Sequence, residues 1–316
     1  MIGSISSNKS SEKKTLWKRI VKNKAAYFML LPVMIGFCAL TLYPNLWVIS
    51  LSFFKYDGIT TPTFTGIENY IRLFTRDADW WQAVANTFIF SIGKLVLEMP
   101  LALFLALLIY RHLHGSSLFR GIIFLPNVTS TAVMSVVFSL LFAAYNGYFN
   151  NVLIGLKIIG YPIEWLGTMP AAMIVCILVS TWQSVGINMI LFLAGLQGIS
   201  EDVYESGDID GAVGIKRFWY ITMPLLARMF QIILMLAIIG SMQQFDLMKV
   251  LTAGGPSGAT EVMMTEIYGY FFPASYAQSS ISQVGYGSAL GVIATMIIGI
   301  VTFIYLCMSR KMDEIA

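Results

Sequence analysis

Histidine and cysteine build most metal sites and many nucleophiles, and this sequence holds few of either. His112 and His114 are its two histidines, and Cys38, Cys176 and Cys307 its three cysteines, in 316 residues. Each cysteine sits alone in an apolar block with no CxxC spacing, so all three read as small membrane-embedded side chains. No phosphate loop of the GxxxxGKS or GxxxxGKT type is present, and the glycine stretch ending at Lys216 has the wrong spacing to cradle a phosphate. HExxH and GxSxG patterns are missing too. The chain is therefore expected to carry no catalytic residue, no metal and no cofactor of its own.

Acidic residues gather in one place. Across 198–225, Glu201, Asp202, Glu205, Asp208 and Asp210 are set against Lys216 and Arg217, five acids less two bases, a net charge of −3. Ser200 ahead of two acids is a helix N-cap signature, and negative charge suits that end of the helix dipole. Gly207 and Gly211 offer a helix stop and a turn. Phe218 and Ile221 supply apolar contacts, and Pro224 opens the next apolar block. The pattern predicts two short helices along a membrane surface, joined by a glycine turn and presenting carboxylates. From the residues alone two readings stand, a solvated amphipathic loop or a docking surface for a basic partner.

The elements that must position these groups are membrane spans. Hydrophobic residues make up 57% of the chain and charged ones 12%, about half the usual ~25% of a soluble domain. Apolar blocks at about 26–54, 84–110, 118–144, 171–196, 226–246 and 286–308 each hold the ~20 residues that cross a bilayer. The first is too long for a signal-peptide core and reads as an uncleaved span. Residues 1–24 form a basic tail with Lys9, Lys13, Lys14, Lys18, Arg19, Lys22 and Lys24 against Glu12 alone. Arg111 and Arg120 follow the second block, and Arg310 and Lys311 end the last. Positive-inside weighting puts both termini in the cytoplasm. The expectation is an all-α polytopic protein, with a six-span domain over 25–316. The acidic loop lies on the side that ought to be basic. A net charge of +3 gives no reason to expect nucleic acid as a partner.

The run from Glu205 through Ser206, Gly207, Asp210, Gly211, Ala212 and Phe218 to Pro224 resembles the EAA loop of permease subunits in binding-protein-dependent ABC importers. That motif reads Glu-Ala-Ala, then Asp-Gly-Ala, a Phe, and Ile-x-Leu-Pro. Here Ser206 and Gly207 replace the two alanines and Met223 replaces the leucine. Further likeness is to the sugar-specific branch: Asn86 and Thr87, Phe119 and Arg120, Phe124 to Pro126, Asn146 and Gly147, Trp165 and Leu166. Ala194 to Ile199, Leu251 to Pro256 and Gly285 to Gly291 continue it.

The resemblance implies a multi-pass subunit of the bacterial cytoplasmic membrane that works beside a second, similar permease and two ATPase subunits. These subunits would bind the ATP and Mg. An extracellular solute-binding protein would deliver a sugar, docking on 55–83 and 247–285. The acidic loop would be the coupling helix between spans four and five, with Glu205 pairing a basic residue of the ATPase and Gly211 making the turn. Within the same importer class an osmolyte or amino acid is the other substrate reading. A stand-alone secondary transporter would have no reason to carry such a loop.

Polar residues inside the spans are the substrate candidates. Amides and carboxylates suit bidentate bonds to sugar hydroxyls, and an aromatic face suits the apolar side of the ring. Trp182, Gln183 and Asn188 in span four, and Gln243, Gln244 and Asp246 late in span five, fit that description. Each could equally brace one helix against another. Lys94 and Glu98, four apart on one helix face, read as a mutually neutralised pair in preference to a substrate contact. Arg228 reads as a side chain that snorkels to the interface.

Overall fold

The computed structural model describes residues 23–110, 115–273 and 281–313. The basic tail up to Lys22, Arg111, His112 and His114 lie outside the described residues. The described residues are mostly helical, with one two-stranded hairpin among them. Helix α1 (Lys24–Phe37), a π segment (Cys38–Leu42) and α2 (Tyr43–Leu51) form the first span. The hairpin follows, with β1 (Phe54–Lys55) antiparallel to β2 (Thr63–Phe64) and Phe54 opposite Phe64. Then come α3 (Glu68–Thr75), α4 (Ala78–Tyr110), α5 (Ser116–Val128), α6 (Thr131–Leu141), α7 (Tyr148–Gly155) and α8 (Met169–Gln197). The remainder is α9 (Glu201–Ile209), α10 (Ile215–Arg217), a second π segment (Phe218–Thr222), α11 (Met223–Met242), α12 (Asp246–Leu251), α13 (Met263–Phe271) and α14 (Val284–Asp313).

Among the described residues, five helices are long and apolar enough to cross a membrane, six if a bent pair counts as one span. That pair corrects the reading of 118–144 as one continuous span. Helices α5 and α6 meet at 93° across Thr129 and Ser130. Thr129 is extended, at φ −74° and ψ 139°, which stops α5, and the hydroxyl of Thr131 is engaged by Gln183 of α8. Helix α5 crosses α8 so closely that a Cβ on Gly186 would collide with the Ile123 carbonyl.

Both π segments precede a proline two residues on, Pro44 and Pro224. In each, the N–H of the residue before the proline reaches back five residues, Tyr43 to Cys38 and Met223 to Phe218. A proline ring has no N–H and clashes with the carbonyl four residues back, and the wider turn lets the helix run on through it. The expectation that Pro224 opens the fifth span is thus corrected. The helical path from Ile215 to Met242 is continuous.

Packing divides into three buried clusters. Helix α4 begins where the Asp77 carboxylate accepts the Trp80 N–H at 2.9 Å, a side-chain cap for its first turn. It then lies along α8, with Ala102 and Ala106 buried against Met189, Phe192 and Leu196. Small residues on one helix let the other approach, which replaces the hydrophobic drive missing in lipid. A second cluster joins Phe90, Met134, Val175, Leu247 and Met248. The third joins Leu73, Trp80, Met242, Met263, Tyr286 and Leu290. The first span touches the bundle mainly where α2 meets α14. Apart from Leu51 and the half-buried Val48, the apolar side chains described in it are exposed, as lipid-facing or partner-facing residues would be.

Candidate functional site

The acidic loop is one helix and a turn. Ser200 occupies the cap position of α9 without a side-chain bond, and Glu201 and Asp202 sit in the first turn. Gly207 does not stop this helix, contrary to expectation. It lies buried inside α9, and a Cβ there would collide with Ile221 Cδ1. The turn falls at Gly211 and Gly214, whose φ values of +77° and +62° favour glycine. Ala212 N–H reaches the Gly207 carbonyl at 2.8 Å and closes α9. A separate second short helix is not formed, because α10 is a single turn that runs through the π segment into α11.

Two faces of α9 differ sharply. Tyr204 and Gly207 are buried against the bundle, whereas Glu201, Asp202, Glu205, Ser206, Asp208 and Asp210 are exposed. Asp208 is ion-paired with Arg217, which leaves Glu205 on the open surface. Apolar side chains share that surface, with Ile209 at 88% and Ile215 at 75% exposure. Phe218, half-buried, packs against the buried cluster below. Pro224 is exposed and Ala212 half-buried.

Inside the bundle, Lys94 Nζ stands 3.6 Å from Glu98 Oε2, with both side chains almost fully buried. Asn188 Nδ2 donates to Glu98 Oε1 at 2.6 Å. The pair is therefore a brace between α4 and α8. Gln183 donates to Thr131 Oγ1 at 2.9 Å and braces the bent pair. Two of the six substrate candidates are thus occupied by neighbouring helices.

Trp182 is half exposed, with its ring edge-on to Phe138 of α6 at 5.3 Å. Gln243, Gln244 and Asp246 do not lie within the fifth span. Helix α11 ends at Met242, and the three residues occupy the break before α12 and its first turn. Gln243 and Asp246 are exposed and Gln244 half-buried. Helix α12 packs on α6, so the structure brings this break to the same helix that carries Phe138.

The end of the bundle away from α9 is fastened by residues that reading single positions missed. Asn86 Nδ2 donates to the carbonyls of Gly258 and Glu261, each at 2.9 Å. Thr87 Oγ1 accepts the Met263 N–H at 3.0 Å. Asn86 and Thr87 thereby hold the segment 258–263, just after the Leu251 to Pro256 fragment. Asn150 is buried and donates to the Ala143, Ala144 and Ile163 carbonyls while accepting Ile163 N–H and Trp165 Nε1–H. Nothing in sequence separates it from its exposed neighbour Asn151. Arg72 lies 3.8 Å over the Tyr286 ring and donates to Gln283 at 2.6 Å. Tyr286 donates in turn to Asp77. Burial, reinforced by the charges of Glu261, Asp77 and Asp79 and opposed by Lys249, pushes Glu266 up to about 7.

Among the described residues, a bundle of five or six membrane-length helices carries an acidic helix-and-turn at one end, the architecture of a multi-pass membrane protein. The chain belongs to the binding-protein-dependent transport system inner membrane component family, whose model matches residues 98–313. It is a multi-pass membrane component of such a system.

It is 30% identical over 289 residues to the trehalose/maltose transport system permease protein MalF of Thermococcus litoralis, covering 91% of this chain and 94% of that one. Likeness to the arabinooligosaccharides transport system permease protein AraP of Bacillus subtilis is 30% over 304 residues, 95% and 94% of the two chains. The lactose transport system permease protein LacF of Rhizobium radiobacter is 32% identical over 273 residues, 85% and 89% of the two. In fold, the chain is similar to a bacterial ABC transporter involved in import of the acidic polysaccharide alginate, with a TM-score of 0.78 at 21% identity. That likeness covers 94% of this chain and 99% of the other.

Proposed function

We propose that this chain is the permease subunit of an ATP-driven carbohydrate importer, forming the translocation pathway with a second, similar permease. The observation that carries the coupling part is the two-faced α9. Its buried Tyr204 and Gly207 fix it to the bundle, and its exposed Glu205 stands free to pair with a basic residue of an ATPase subunit. Apolar Ile209 and Ile215 beside the carboxylates suit a cleft in protein rather than a headgroup layer. The net charge of −3 on 198–225 fits the same reading, since basic residues would be expected against anionic lipid.

On this reading both termini and α9 face the cytoplasm, and the hairpin, α3 and α13 face outward, where the binding protein docks. Closure of two ATP-loaded ATPase subunits draws the two α9 helices together and turns the permease pair from inward- to outward-facing. ATP and Mg stay on those subunits. Sugar from the binding protein then enters between the permeases. Gln243, Gln244, Asp246 and Trp182 are the side chains of this chain left to meet it. The names of the relatives, which transport maltose, arabinooligosaccharides and lactose, support a carbohydrate as the substrate.

Uptake by cells expressing the whole assembly tests the substrate class. A panel of labelled oligosaccharides is set against an osmolyte and amino acids. Uptake of one or more oligosaccharides alone is expected. Uptake restricted to the osmolyte or an amino acid would overturn the carbohydrate assignment.

A further inference from the structure

We propose that Tyr204 is a positioning residue for energy coupling, the post through which movement of α9 reaches the ends of two spans at once. The inference rests on the coupling reading above. Tyr204 is buried on the inner face of α9, one residue from the exposed Glu205. Its ring lies 6.4 Å from the ring of Tyr110, the last residue of α4. Its hydroxyl lies 3.4 Å from Thr222 Oγ1, at the end of the π segment that leads into α11. The Arg217 guanidinium sits 5.6 Å over the same ring and is ion-paired with Asp208 of α9. One side chain thus joins the helix that would meet the ATPase to spans two and five.

Tyr204 stands beside open space, so few other groups share the load. A cavity of about 570 Å³ adjoins it, walled by Leu107, Tyr110, Leu196, Phe218 and Thr222. Packed side chains that bridge two elements carry motion of one to the other, and the cavity offers no such bridge on that side of Tyr204. The second contact is Ile221, whose Cδ1 lies where a Cβ of Gly207 would be. Ile221 belongs to the π segment, so this contact too delivers motion of α9 to the start of span five. Removing the Tyr204 ring enlarges the cavity and cuts the link to α4, while leaving the exposed carboxylate face of α9 unchanged.

The test uses the assembly reconstituted in lipid, with the three cysteines replaced by alanine. Nitroxide labels are placed at Ile59 and Tyr145, which are 92% and 83% exposed. Their separation is measured without nucleotide and with ATP and vanadate, the probes that close the ATPase pair. In Tyr204→Ala the ATPase subunits are expected to co-purify and basal ATP hydrolysis to persist. The nucleotide-dependent change in separation is expected to fall by roughly fivefold or more. Tyr204→Phe, which keeps the ring, is expected to retain the change.

A full change in Tyr204→Ala would overturn the proposal. Should Tyr204→Ala not assemble, Tyr110→Ala, which removes the ring that Tyr204 meets at the end of α4, decides the matter. A response reduced by about half or more is then expected, and an unchanged response would overturn the proposal. A wild-type chain to which no ATPase subunit binds would refute the coupling reading itself.

Discussion

Asn188 of α8 donates to Glu98 of α4 at 2.6 Å, beside a lysine 3.6 Å away on Glu98's own helix. Two buried charges and one amide therefore form a closed unit between the helices that make up the centre of the bundle. The other carboxylate oxygen, Glu98 Oε2, has no hydrogen-bond donor among the described residues, so the Lys94 charge is what balances it.

Lys94→Met is predicted to leave that carboxylate buried and uncompensated, costing about 3–5 kcal/mol. Lys94→Met with Glu98→Gln removes both charges and keeps an acceptor for Asn188, so most of the loss should be recovered. Thermal unfolding of the solubilised chain checks both. A double variant as unstable as the single one would contradict the brace.

Asn188→Leu is predicted to cost about 1–2 kcal/mol while leaving the choice among sugars unchanged. Competition uptake assays distinguish the outcomes. A shift in sugar preference would return Asn188 to the substrate site.

Asn86→Ala is predicted to free two half-buried carbonyls, at about 0.5–1.5 kcal/mol each. Hydrogen exchange should rise first across 255–263, the segment that Asn86 and Thr87 hold. Exchange unchanged there would mean that the loop is held by other contacts.

Glu266 lies outside the spans, and burial raises it from the ordinary carboxylate value to about 7. The folded state therefore holds a proton that the unfolded chain has already released. Stability from this group is full below about pH 4.5 and is lost as pH rises through about 7. The melting temperature should fall between pH 5 and pH 8, and Glu266→Gln should remove that part of the fall. An identical pH dependence in the variant would show that Glu266 is not the group responsible.

Alanine at Gln243, Gln244 and Asp246 together is predicted to raise KM for sugar uptake, with the ATPase subunits still bound. Unchanged uptake kinetics would take this break out of the pathway.

The spans were legible because lipid demands long apolar helices, and α4, α8 and α14 lie where their blocks put them. The bend at Thr129 and Ser130 was passed over because averaging over a long apolar block smooths out its mark, the polar Asn127, Thr129, Ser130 and Thr131 just after Pro126. The two bend residues are exposed. Pro224 misled for a physical reason. Proline normally begins a helix, but here a π turn carries the helix through it. Gly207 looked like a stop and proved to be a contact, because only the fold shows that Ile221 comes to rest against it. The exposed face of α9 was readable from the spacing of Glu205, Asp208 and Asp210. Its buried face was not, since Tyr204 has no partner nearby in sequence.

The central claim is that the carboxylate face of α9 couples this chain to ATP hydrolysis. The most direct measurement is binding-protein-stimulated ATPase activity of the purified assembly, for the wild type and for Glu205→Lys, at matched expression of this chain. The wild type is predicted to co-purify with its ATPase subunits and to show stimulation, and Glu205→Lys to lose it. Equal stimulation in the two would contradict the account.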